Sequence, residues 1–511
     1  MNIFKLLIGT SLTALVLTSA TPASAQAVDD IGFDLLQLLV DEGLISREKA
    51  QGLLERARAS AELRQKREVA ANQPAVDIAY VPQVVREEIK AEAKAEMLKE
   101  AREGGLLAPD ALPAWVKAVK LSGDFRVRFQ SERFDPDNFP FFPDVAAINA
   151  AGGVADAAGF PLLNSTVNRK RAQFRGRFNV EATVSPNVAV GFGLAGGQVP
   201  GAVSTGSLLG DFYDPKGVWI DNIYARFTPA KGVDLTVGRM PNPFYSTDMV
   251  WDPDIRPEGA VLSGRYQFNN GIGAFATAGV LPLQERERFA DSYLYAGQIG
   301  VEAPLTDGIS AKLAAAYYYY DNLQSMKNPA DGSRLNDWSA PAIVARGNSV
   351  FNMRTDGTTT LAGLAANYEL VAGTGRIRYS TGEIGVGLTG EVVKNLGLDT
   401  AQVARLRGEP GVTPGSLGWQ VRLDAGYSSI TRPGQWRAAA AYKRIETDAV
   451  LDLFTDGEFG LGGTDVKGYV LEAEYGIFTN TGIELRYLSS DSINRPPLAI
   501  DVLQINLNTR F

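Results

Sequence analysis

The chain contains no cysteine and no histidine in its 511 residues. Without cysteine there is no disulfide framework, and without either residue there is no Cys or His metal site. The imidazole base of Ser-His-Asp or Cys-His nucleophile machinery is missing as well. Most enzyme chemistry is thereby excluded, and nothing in the pattern calls for a cofactor or a metal. The formal charge of −8 gives no general affinity for nucleic acid, itself a polyanion. Long apolar runs are absent too. Beyond the N-terminus no stretch reaches the roughly 18 consecutive apolar residues of a membrane-spanning helix. Glycine, by contrast, is plentiful at 53 residues.

Residues 1–25 read as an export signal peptide. Lys5 supplies a basic start, Leu6 to Leu17 an apolar core, and Ala23-Ser24-Ala25 a small-x-small cleavage site before Gln26. Export leaves two possibilities: a soluble protein outside the cytoplasm, or a β-barrel, whose strands escape hydropathy scans. Residues 26–75 read as a helical hairpin, with Phe33 to Val40 as its first apolar segment and a stop at Gly43. Residues 76–117 read as a second helix after Pro82, followed by a linker at Gly104-Gly105, Pro109 and Pro113. Its narrow stripe of Val81, Val85, Ile89, Ala93 and Met97 suits either a short oligomeric coiled coil or a solvated helix.

From residue 118 the period changes to two. Val119, Leu121, Gly123, Phe125, Val127 and Phe129 alternate with Lys120, Ser122, Asp124, Arg126, Arg128 and Gln130. Such a run is longer than a soluble strand of about five or six residues and suits one tilted across a membrane. Ala172 to Val184 repeats the pattern, ending at the turn Ser185-Pro186-Asn187. Short connections (185–187, 229–232, 269–271, 431–435, 479–482) alternate with long ones (134–168, 198–218, 241–258, 321–358, 395–416, 447–466). That asymmetry predicts an all-β transmembrane antiparallel β-barrel of about 16 strands over 118–511, with a short N-terminal α-helical periplasmic region. The stretch 371–383 reads equally as turn or strand extension. A soluble sandwich is the competing fold. The long strands, the Arg and Glu on the polar faces and the aromatics near strand ends speak against it.

The last strand carries Leu503, Ile505, Leu507 and Phe511 on one face. A terminal Phe on an alternating strand resembles the signal read by the outer-membrane barrel assembly machinery, with side chains filling alternate pockets.

Three further segments resemble the putative porin family of bacterial outer membranes. They are Tyr80-Val81-Pro82 with Pro113-Ala114-Trp115 and Leu121 to Arg126; Gly238 to Phe244 through Trp251-Asp252; and Asp456 to Gly460 with Gly463 to Gly468. The resemblance spans about 80–511. It implies a sixteen-stranded barrel in outer-membrane lipid, a homotrimer, and a periplasmic N-terminal extension. The function it implies is passive diffusion of small hydrophilic solutes and ions, with no enzymatic step. Two rivals remain: an anion- or phosphate-selective channel, and an envelope tether gripping peptidoglycan through the N-terminal helices.

Alternation turns a basic wall inward: Arg126, Arg128, Arg171, Arg175, Arg177, Arg226 and Arg265, with Arg422, Arg437, Lys443 and Arg486. It also turns in Asp124, Glu181, Glu302, Glu391, Asp424, Glu472, Glu474 and Glu484. The 241–258 connection is the candidate constriction loop, carrying Asp248, Asp252, Asp254 and Glu258. Opposed charges across a narrow wet gap would orient polar solutes. The alternative is that these arginines simply pair with neighbouring wall carboxylates. Asp135-x-Asp137 and Asp252-x-Asp254 are explained by Asp-Pro turns as well as by Ca²⁺ spacing.

Overall fold

The computed structural model describes residues 118–197, 206–210, 212–269, 271–409 and 414–511. All lie in the second of two compact units, Pro109–Phe511. The export segment, its cleavage site at Ala25–Gln26 and the helical segments 26–75 and 76–117 lie outside the described residues.

Among these residues sixteen long strands follow in chain order. They are β1 (Val119–Phe134), β2 (Arg169–Ser185), β3 (Val188–Gly197), β4 (Gly217–Ala230), β5 (Val233–Arg239), β6 (Glu258–Gln267), β7 (Gly273–Gln284) and β8 (Ser292–Thr306). Then come β9 (Ile309–Asp321), β10 (Glu369–Thr381), β11 (Ile384–Asn395), β12 (Leu417–Tyr427), β13 (Trp436–Ile445), β14 (Val466–Phe478), β15 (Thr481–Ser492) and β16 (Ala499–Arg510). Each pairs antiparallel with the next, and a two-residue strand at Ser207–Leu208 adds to β2. β16 returns to β1 in a register running from Asp124↔Arg510 to Phe134↔Ile500, closing the sheet without a free edge. The longest strand, β2, has 17 residues, more than the about 9–11 that a tilted crossing needs.

The alternation sorts the side chains. On β1, Leu121, Phe125 and Phe129 face outward and are exposed, while Arg128, Gln130 and Glu132 face inward and are buried. Four consecutive tyrosines make the point most sharply. Tyr317 and Tyr319 are 43% and 41% exposed, and Tyr318 and Tyr320 between them are 1% and 5% exposed.

The seam is closed by the chain's last residue. Gly123 and Phe511 exchange backbone hydrogen bonds of 3.0 and 3.1 Å. The Phe511 ring lies over Gly123, so a Cβ there would stand 2.4 Å from the ring and 2.4 Å from the Arg177 carbonyl oxygen. Leu503, Ile505, Leu507 and Phe511 all face outward and exposed, as the alternation requires.

Short connections at one end of the barrel alternate with mostly longer ones at the other. The stretch 371–383 resolves into strand β10 and a turn at Gly382, whose φ of 60° suits glycine. Residues 307–308 form a further short turn that sequence reading did not mark, and 285–291 and 493–498 are further connections at the long-loop end. The β9–β10 loop runs past 358 to Tyr368. Residues 359–364 are not wall, because Thr359–Thr360 pairs with Val154–Ala155 and Ala362–Leu364 with Val350–Asn352.

The inner face is not uniformly wet. Leu281, Leu294, Tyr318, Leu370 and Val393 on β7–β11 are buried in one apolar cluster with Phe244, Met249 and Trp251 of the β5–β6 loop (240–257). Trp251 stacks between Phe244 and Phe454 at centroid distances of 6.0 and 5.2 Å, with Tyr318 edge-on. Phe454 belongs to the β13–β14 loop (446–465). Two loops thus fold inward and pack on the apolar part of the wall.

Substituting Gly123→Val would push a branched side chain into backbone and ring at the seam. The expected loss is about 1–3 kcal/mol, read as a lower unfolding midpoint of the folded barrel in detergent. An unchanged midpoint would contradict the tight seam.

Candidate functional site

The two inward loops meet the charged wall. The Trp251-Asp252-Pro253-Asp254 segment turns sharply because Asp252 Oδ1 accepts the Asp254 backbone N–H at 2.7 Å, an Asx turn. The turn aims Asp254 at the wall. Its Oδ1 accepts from Arg175 at 3.0 Å and Arg177 at 2.9 Å. Asp124 on β1 accepts from the same two arginines at 3.0 and 2.6 Å. Each arginine thus has one wall carboxylate and one loop carboxylate.

Asp248 takes a different partner, Lys443 on β13, at 2.6 Å, and Lys443 also reaches Asp456 of the β13–β14 loop at 2.9 Å. Among the described residues Asp252 meets no cation. Its Oδ2 accepts the Gly457 N–H at 3.0 Å, its own N–H donates to the Phe454 carbonyl at 2.8 Å, and Asp456 N–H donates to the Asp248 carbonyl at 2.9 Å. These bonds staple the two loops together. Glu258 stands apart: it opens β6 and pairs with Arg239 at 2.6 Å.

Sequence reasoning missed Glu458. It sits on the β13–β14 loop and is held by Arg128 and Arg486, with Arg126 at 4.0 Å. The signal was available in Asp456 to Gly460, a segment singled out for resemblance but not for charge. The remaining wall arginines pair locally: Arg171 with Glu132, and Arg226 with Glu181 at 2.9 Å. Arg265 is exposed near the turn end of β6, on the side of Val261 and Ser263. Arg376 and Arg378, from the stretch left ambiguous, both reach Asp424 at 2.8 and 3.2 Å. Asp135 accepts from the Asp137 N–H at 2.8 Å, the turn expected for that motif.

The loop acids diverge electrostatically. Burial alone would raise Asp254, but Arg175 and Arg177 outweigh it and hold its carboxyl below the usual range. Burial likewise opposes Glu458, and Arg128, Arg486 and Arg126 pull it well below that range. Asp248 is lowered against burial by Lys443. Asp252 has no such help. Burial, then Asp456 and Asp254, push it up to about 8.

That value exceeds the ordinary aspartate pKa of about 4, so the folded chain holds the proton more tightly than the unfolded chain. The associated stability is complete below about pH 4 and is lost as pH rises through about 8. The thermal midpoint should therefore fall by a few degrees between pH 6 and pH 9, and Asp252→Asn should flatten the decline. An identical decline in that variant would remove Asp252 as its source.

No curated protein sequence matches the chain. Among solved structures it is similar to OmpT of Vibrio cholerae in a trimer form, at 10% identity, covering 77% of this chain and 99% of that one, with a TM-score of 0.39. It is similar to OprB of Pseudomonas putida at 8% identity, covering 78% and 95%, with a TM-score of 0.45. It is also similar to the outer membrane channel DcaP of Acinetobacter baumannii at 13% identity, covering 77% and 97%, with a TM-score of 0.40. The sequence matches the family described as putative porin over residues 30–511. The chain belongs to that family and is a porin-like channel barrel of the bacterial outer membrane.

Proposed function

We propose that the barrel passes small hydrophilic solutes and ions by passive diffusion. The carrying observation is Asp254, on a loop folded into the barrel, lying against Arg175 and Arg177 of the wall. Fixed charges of both signs at one narrow level favour polar and charged permeants over apolar ones. No cofactor, energy input or chemical step enters this reading. The pairing of the basic wall with Asp124, Asp254 and Glu458 favours a general diffusion channel over an anion-selective one, because the charges of Arg128, Arg175 and Arg177 are locally offset.

The rest of the assembly follows the same reading. Residues 1–25 direct export, residues 26–117 stay in the periplasm, and Leu503, Ile505, Leu507 and Phe511 are offered to the assembly machinery. Three copies form the working unit. Residues 26–117 contact peptidoglycan as a secondary role.

The test is planar-bilayer recording on the Arg175→Gln, Arg177→Gln double variant. A unit charge about 8 Å from a permeating ion in water is worth about 0.5 kcal/mol, roughly twofold in local occupancy. Reversal potentials in a salt gradient should move toward cation preference by about that factor per charge. Unchanged conductance and ion preference would take these arginines out of the permeation path. A purified barrel silent in bilayers would refute the channel itself.

A further inference from the structure

A cavity of about 390 Å³ lies at the long-loop end of the strands, apart from the Asp254–arginine contact. Its body is apolar, lined by Trp251, Leu294, Leu364 and Phe454. An apolar cavity of about 150 Å³ already takes a benzene ring, so this one has room for a ring and a further chain.

One end of the lining is charged in both signs. Arg239 and Arg256 are tied to the same residue: Arg239 Nε donates to the Asp221 carbonyl at 2.8 Å, and Arg256 Nε to Asp221 Oδ2 at 3.1 Å. Arg239 Nη1 donates to Glu258 Oε1 at 2.6 Å, and Arg256 Nη1 to the Pro253 and Ile255 carbonyls. The Nη2 groups of both arginines and Oε2 of Glu258 make no hydrogen bond to another described residue. Glu258 is 58% exposed, so its free oxygen is accessible. Asp452, also on the lining, is engaged with Asn348, whose N–H it accepts and to whose side chain it donates its own N–H.

We propose that this cavity binds a zwitterion with an apolar side chain: a free aromatic or branched amino acid. The apolar group fills the Trp251–Phe454 side. The α-carboxylate accepts from the Nη2 groups, and the α-ammonium donates to Glu258 Oε2. A lone anion would face Glu258, and a lone cation would face two guanidiniums. A zwitterion satisfies both signs over the span of one ion pair. The inference goes beyond diffusion through the barrel and does not require the pore to conduct.

Isothermal titration calorimetry on the full-length, detergent-solubilised protein tests it with L-phenylalanine, phenylacetate and 2-phenylethylamine. Phenylalanine should bind saturably at one site per chain. Each analogue, lacking one charged group, should bind about tenfold more weakly or worse. Glu258→Gln should weaken phenylalanine by a similar factor and leave phenylacetate no weaker. Ala342→Trp, at an exposed lining position, should abolish binding by filling the space. Circular dichroism verifies that each variant is folded, and Glu258→Gln carries the test alone if Ala342→Trp fails to fold. No saturable heat with phenylalanine, equal affinities for the three probes, or unchanged affinity in the folded variants overturns the proposal.

Discussion

In hydrocarbon there is no water to satisfy backbone N–H and C=O groups, so a sheet that crosses it has to close on itself. Everything else in this barrel answers to that requirement. The pairing of β16 with β1 removes the last edge, and Phe511 extends it to Gly123. Closure then creates the second problem, an interior too wide for the wall's side chains to fill. Sixteen strands leave space that loops or water have to occupy.

The chain divides that space by chemistry. Toward the long-loop ends of β7–β11 the inner face turns apolar, and Phe244, Trp251 and Phe454 of two loops pack against it. On β1–β2 and β13–β15 the inner face is charged, and the same loops present acids to it. Burying a charge is costly unless it is paired. The pairing is generous: Asp254 has two arginines, Glu458 has Arg128 and Arg486, and Lys443 has two acids. A loop anchored by dispersion on one side and by charge on the other cannot drift toward either wall without losing contacts to the opposite one.

What the sequence revealed of this follows the range of each interaction. The two-residue alternation on β1 is local, so Leu121, Phe125 and Arg128 could be assigned to faces directly. The turn at Asp252 to Asp254 was legible because Asp-Pro-Asp makes its own local hydrogen bond. Glu458 was not, since its meaning depends on Arg128, 330 residues away. Tyr317 to Tyr320 hid the apolar inner face for another reason: tyrosine suits a lipid interface and a buried core equally, so the alternation carries no contrast there. The turn at Gly382 was obscured because glycine also occurs inside strands of this barrel, as at Gly375 and Gly387.

Asp252 shows how the two loops tolerate so many acids at close quarters. Asp254 and Asp456 both lie near enough to raise its pKa, and a third full negative charge between them would push the loops apart. Holding a proton removes that repulsion while leaving carboxyl oxygens to accept the Asp254 and Gly457 N–H groups. Asp254 is held below the usual carboxylate range by Arg175 and Arg177 and Asp456 lies against Lys443, whereas Asp252 is raised by burial and by these two acids with no cation beside it among the described residues. The junction between the loops is therefore held by neutral hydrogen bonds, and its charged contacts all run outward to the wall.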